Sequence, residues 1–149
     1  MNYKLCFFVE LLAFLPISCM AVAMEGSMGG LFGRNTFYGL SADIWLFGFS
    51  IPLFLILIMI VKGFNSELFG TLLCGDFIGM MLEDFFWFVI NPSFGLGKFN
   101  STYATWLLWL KTDYFEIPFL YIICTAIAVI SWFIFIKNSK AIDSFLRHR

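Results

Sequence analysis

Hydrophobic positions along this chain fall into four long blocks separated by short polar breaks. The blocks cover residues 6–24, 42–61, 68–90 and about 117–136. Each has close to the ~20 residues that a helix needs to cross the hydrocarbon of a bilayer. A helix is the expected form, because in lipid a backbone must satisfy its own hydrogen bonds. The spacing predicts an all-α integral membrane bundle of four transmembrane helices in one domain. Between the third and fourth blocks, "STYATWLLWLK" (101–111) is apolar but too short to span. Its Trp106 and Trp109 are amphipathic rings of the kind that collect at headgroup depth, so this stretch predicts an interfacial helix in the third loop.

Composition agrees with the pattern. Hydrophobic residues make up 61% of the 149 positions and charged residues 13%, against roughly 45–50% and about 25% in soluble domains. The net charge of -1 offers no basic field for nucleic acid. Cys6, Cys19, Cys74 and Cys124 all lie in apolar runs without C-x-x-C spacing, so they read as small buried hydrophobes, with neither a zinc site nor a disulfide framework indicated.

The first block also fits a signal peptide, with "MNYK" as its charged start and Ala21-Val22-Ala23 as a cleavage site. Glu10 inside the apolar stretch, and the length of that stretch, favour an uncleaved span. Lys and Arg set the orientation. With both termini in the cytoplasm, the inner side carries Lys4, Lys62 and the four basic residues of the tail 137–149, six against three outside. The tail reads as a short basic helix touching anionic lipid, and it holds the single histidine, His148. The first loop is glycine-rich and carries Arg34, but lacks the Lys-Ser/Thr that ends a phosphate-binding loop.

Three acids interrupt the third block: Asp76, Glu83 and Asp84. Its twelve Leu, Ile, Phe and Val residues contribute about -5 kcal/mol to insertion. Three charged acids at the centre would cost roughly +7 to +10 kcal/mol. Something in the fold must offset them. At 100° per residue, Asp76, Met80, Glu83 and Trp87 share one stripe, flanked by Asp84. Beside it runs Gly75-x-x-x-Gly79, a pair that lets another helix come close. This face is expected to meet protein and to hold a proton, a cation or a partner's basic group, with Asp76, Glu83 and Asp84 as its ligands. Glu10 is placed to join Asp76. Trp87 and Asn91 would shape the outer mouth, and Asn91-Pro92 would stop the helix.

The stretch "LEDFFWFVINPSFGLGKF" (82–99), followed by Trp106, Trp109, Pro118 and Tyr121, resembles a pattern, roughly E-D-x-x-W-F-x-x-N-P-x-F/Y-G, in an uncharacterised family of small prokaryotic multi-spanning membrane proteins. Glu83, Asp84, Trp87, Phe88, Asn91, Pro92, Phe94 and Gly95 match it. That family's downstream Trp-rich segment usually carries a His, where this chain has Leu107 and Leu108. The resemblance implies a membrane protein and brings no activity with it. Glu83-Asp84-Phe85-Phe86 is also similar to the acidic-aromatic helix of membrane carotenoid cyclases, which implies a carboxylic acid able to protonate a polyene.

Serine-hydrolase, P-loop and H-E-x-x-H motifs are absent. The leading expectation is therefore a non-enzymatic membrane protein with an intramembrane acidic face. One alternative is a small membrane enzyme on a lipid or isoprenoid, with Glu83 or Asp84 as general acid. Another is a structural subunit of a membrane complex. The expected partners are the bilayer and another membrane subunit or a second copy; no cofactor is expected.

Overall fold

The computed structural model describes residues 3–25, 51–105 and 107–147. The glycine-rich first loop with Arg34, the start of the second hydrophobic block, Trp106 and His148 lie outside the described residues. The described chain is mostly helical. Its helices are α1 (Tyr3–Glu25), α2 (Ile51–Lys62), α3 (Ser66–Ile90), α4 (Phe119–Ser131) and α5 (Ser139–Arg147). Helix α4 continues into a π-helical turn, Trp132–Lys137. Two helical stretches, Tyr3–Ala23 and Phe119–Lys137, are long and apolar enough to cross a membrane. Helix α3 is longer than either, at 25 residues or about 37 Å, and it carries the acids.

Helix α3 is the centre of the fold, packed by α1 on one side and by α4 on another. Helix α1 runs parallel to it. Tyr3 donates its hydroxyl to Asn65 Oδ1 at the start of α3, 3.3 Å away. Glu10 then lies against Gly75 and Phe14 against Gly79. Ala21 and Val22 reach the cluster of Trp87 and Phe88 at the far end. Helix α4 runs antiparallel, with Tyr121 beside Asp84, Cys74 Sγ donating to the Ala128 carbonyl at 3.1 Å, and Phe135 against Gly70.

The glycines make the α1–α3 approach possible. A Cβ at Gly75 would overlap the Glu10 carboxyl, and one at Gly79 would overlap the Phe14 ring. Glu10, Phe14 and Ser18 recur every four residues, so they form one stripe on α1. Phe14 and Ser18 are buried. The Ser18 hydroxyl donates back to the Phe14 carbonyl at 2.8 Å, so the stripe ends without a free polar group.

Both ends of α3 are tied down. Asn65 caps its start, its side chain accepting from the Leu68 amide at 2.8 Å. Asp143 of α5 accepts from the Ser66 amide at 3.2 Å, and Ser66 Oγ donates to the Ser139 carbonyl at 3.1 Å. A carboxylate there complements the positive end of the helix dipole. The tail is thus helical, as its sequence predicts, and is docked under α3. At the other end Asn91 caps α3, its amide bonded to the Trp87 carbonyl.

The third loop departs from expectation. Among the described residues of 101–111 the predicted helix is absent: turns occupy 101–103, and β1 (Trp109–Lys111) pairs antiparallel with β2 (Glu116–Pro118). The register sets Trp109 opposite Pro118 and Lys111 opposite Glu116. Local hydrogen bonds outcompete the helix. Asn100 Oδ1 takes the amides of Thr102 and Tyr103. Glu116 takes the Ser101 amide at 2.8 Å and its hydroxyl at 3.0 Å. From Leu108 to Leu110 the burial alternates with period two: Leu108 and Leu110 are exposed, while Trp109 turns inward onto Phe99, 5.2 Å between rings.

Two expectations follow. Gly79→Val should destabilise the bundle by about 1–3 kcal/mol, the usual cost of overpacking, read as a lower unfolding midpoint in detergent. The second concerns Glu116, whose carboxyl lies below its ordinary range because the Ser101 amide, then the Ser101 hydroxyl, donates to it. A depressed acid stabilises the fold above its ordinary range, and that stability is lost as pH falls through the folded value. Hydrogen-exchange protection of the Ser101 amide should therefore hold at neutral pH and fall on acidification. Glu116→Gln should flatten that pH dependence.

Candidate functional site

The acids of α3 do not form one site. They divide into two, separated along the helix by seven to eight residues, or about 10–12 Å. The split follows from that axial distance, and the helical turn then separates Glu83 from Asp84. Asp76 and Glu83, seven residues apart, stay on the stripe beside Gly75 and Gly79, while Asp84 points about 100° further round, toward α4.

The first site is a carboxyl pair. Asp76 meets Glu10 of α1, and the two carboxyls lie within electrostatic reach of each other. Close helix approach at Gly75 is what brings Glu10 within reach. Asp76 is only 8% exposed. One oxygen of each group, Glu10 Oε2 and Asp76 Oδ2, is buried with no hydrogen-bond partner among the described residues. Cys74, one turn before Ile78, is the other titratable group within electrostatic reach of Glu10. Its thiol is occupied by the Ala128 carbonyl. Among the described residues, no group of three or more His, Cys, Asp or Glu side chains is placed to hold a metal ion.

The second site lies near the aromatic cap. Tyr121 of α4 donates its hydroxyl to Asp84 Oδ2 at 2.9 Å, and Glu83 is within electrostatic reach of the same phenol. Glu83 is 5% exposed and Asp84 half-buried. Above them the third loop folds down as a packed aromatic lid. The rings of Trp87 and Phe94 are 5.0 Å apart, those of Phe88 and Phe99 4.9 Å, and Phe99 stands 6.0 Å from Tyr121. Trp87 and Asn91 are buried inside this lid. The sequence places them at an outer mouth; the structure covers them with the loop.

Sequence reasoning brings Glu10 toward Asp76, and the structure makes that contact. It names Tyr121 only within the family resemblance and misses its contact with Asp84, 37 positions away. The available signal was spacing on α4. Tyr121, Cys124, Ala128 and Ser131 recur every three or four residues on one face, and the last three are buried.

Compared with protein-family models, curated proteins and solved structures, the chain shows no significant match. Its resemblance to small prokaryotic membrane proteins therefore rests on the sequence pattern of residues 82–99 with Trp106, Trp109, Pro118 and Tyr121 alone.

Tyr121→Phe removes the donor to a half-buried carboxyl while keeping the ring. It should cost about 1–3 kcal/mol, the range for a hydrogen bond to a charged or buried group. The check is the difference in unfolding free energy between the variant and the parent protein in the same detergent.

Proposed function

We propose that this chain is a four-span membrane protein that holds an exchangeable proton between Glu10 and Asp76, near the middle of the bilayer. Three observations support the four spans. Helices α1 and α3 are parallel, the arrangement expected of two spans with one other span between them in sequence. The second hydrophobic block is the segment available for that return, and α2 is its described end. The basic residues also segregate. Lys4, Lys62, Lys137 and Lys140 lie at the end where α1 and α3 begin, while Lys98 and Lys111 lie at the other. That asymmetry supports cytoplasmic termini.

The carboxyl pair carries the proton reading. Asp76 is ten residues into α3, about 15 Å from its start, which is half of the ~30 Å hydrocarbon thickness. Two carboxyls in contact away from water repel each other if both are charged. One proton between them removes the repulsion and supplies their hydrogen bond, as in other carboxyl dyads. The pair then titrates as a unit. No Lys, Arg or His lies in any of the four hydrophobic blocks to neutralise it. A proton suits two ligating groups better than a calcium ion, which takes six to eight oxygens. Helix α1 already fills the Gly75–Gly79 face, so a partner helix is not required there.

The enzymatic alternative would use Glu83 as general acid beside the Tyr121–Asp84 pair, and it needs a lipid-sized cavity next to Glu83. The cavity formed between α1, α3 and α4 is lined by other residues.

The test is carboxyl infrared spectroscopy on the full chain in lipid, paired with proton uptake. A carboxylic-acid band should persist at neutral pH and vanish in both Glu10→Gln and Asp76→Asn, with proton uptake falling to background. A band that survives in both variants would sink the proposal.

A further inference from the structure

A cavity of about 590 Å³ opens between α1, α3 and α4. It falls within the roughly 300–1,000 Å³ of ordinary ligand pockets. Along α3 it runs from Glu67 to Ile78, a rise of about 16 Å. That length is close to the hydrocarbon depth of one leaflet, half of ~30 Å. Its walls are apolar: Phe7 and Phe8 from α1, Ile78 from α3, Val129, Trp132 and Ile136 from the α4 side. The polar groups along the walls are already engaged. Thr71 donates to the Glu67 carbonyl at 2.7 Å and Cys74 to the Ala128 carbonyl. Charge appears at one end, where Lys4 and Glu67 stand at the starts of α1 and α3.

We infer that this groove binds one glycerophospholipid of the cytoplasmic leaflet carrying an amine headgroup. An acyl chain lies along the apolar wall toward Ile78. The phosphate meets the Lys4 ammonium and the headgroup ammonium meets the Glu67 carboxylate. Three features single out this occupant. The groove is one leaflet deep. Its charges sit where the headgroup layer meets the chain. Those charges are one positive and one negative, matching a zwitterion, whereas an anionic lipid would leave Glu67 facing like charge. The inference rests on the membrane placement of α1, α3 and α4, and not on the proton held by Glu10 and Asp76.

The experiment uses the purified full chain, reconstituted in turn with phosphatidylethanolamine, phosphatidylglycerol and phosphatidylcholine of identical acyl chains. Retention is read by native mass spectrometry, and contacts by a photoreactive group near the acyl terminus. Phosphatidylethanolamine should be retained best, with crosslinks at residues 74–78 and 128–132. Val129 is 58% exposed on the groove wall, so Val129→Trp fills the groove at little risk to the fold and should reduce retention about tenfold. Glu67→Lys should shift preference toward phosphatidylglycerol. Equal retention of the three lipids, unchanged by Glu67→Lys, would overturn the lipid site while leaving the membrane placement intact. A chain released from membranes by alkaline wash would instead overturn that placement and this inference with it.

Discussion

The rest of the structure depends on how closely α1 lies on α3. Without side chains at Gly75 and Gly79, the two helices meet through the Glu10 carboxyl and the Phe14 ring. In lipid no hydrophobic force pulls one apolar helix onto another, so association depends on close packing and on polar contacts. Here both occur within one turn. The glycines supply the space, and the carboxyl pair occupies it. An acid that would be expensive on a lipid-facing helix thereby becomes part of the contact that shields it. The parallel direction of α1 and α3 follows from the same contact, because the order Glu10, Phe14, Ala21 matches Gly75, Gly79, Trp87.

The other face of α3 solves a similar problem differently. Against α4, small side chains predominate: Cys124, Ala128 and Ser131 are buried, and Gly70 leaves room for Phe135. Asp84 is met by a phenol, which can donate to it without adding a charge. The Tyr121 ring then stacks into the cap through Phe99. The outer carboxylate is therefore linked to the aromatic lid through a single side chain, while the inner pair is enclosed by α1. One acidic helix thus supports two sites of different chemistry.

These features were unequally legible in the sequence. The helices follow from block length and from the absence of water in lipid. Both the glycine pair and the acidic stripe follow from the 100° turn per residue, which also places Glu83 and Asp84 on different faces. The Glu10–Asp76 contact needed one more piece, the parallel register of α1 on α3, which only the depth of the two acids hinted at. Tyr121 was hidden because periodicity shows which face of a helix is buried and not what lies opposite. The third loop misled for a physical reason: two tryptophans three positions apart suit an interfacial helix, but Asn100 and Glu116 capture the backbone donors that such a helix would use at its start.

The placement of charge relative to the acids bears on what the fold can do. Lys4, Lys62, Lys137, Lys140 and Glu67 gather where α1 and α3 begin, and Asp143 lies there against the first amide of α3. The groove opens at that end and reaches Cys74, which lies within electrostatic reach of Glu10. A lipid seated in the groove would therefore exclude water from the inner approach to the carboxyl pair. Removing it would wet the approach, and the pair could then exchange its proton with the cytoplasmic side. On the other side of the pair lie buried Glu83 and the packed aromatic rings of the third loop. On the proposed reading, a proton held at Asp76 has one route governed by lipid and one by the third loop, and the occupancy of the groove, more than the acidity of the pair, would set how fast that proton exchanges.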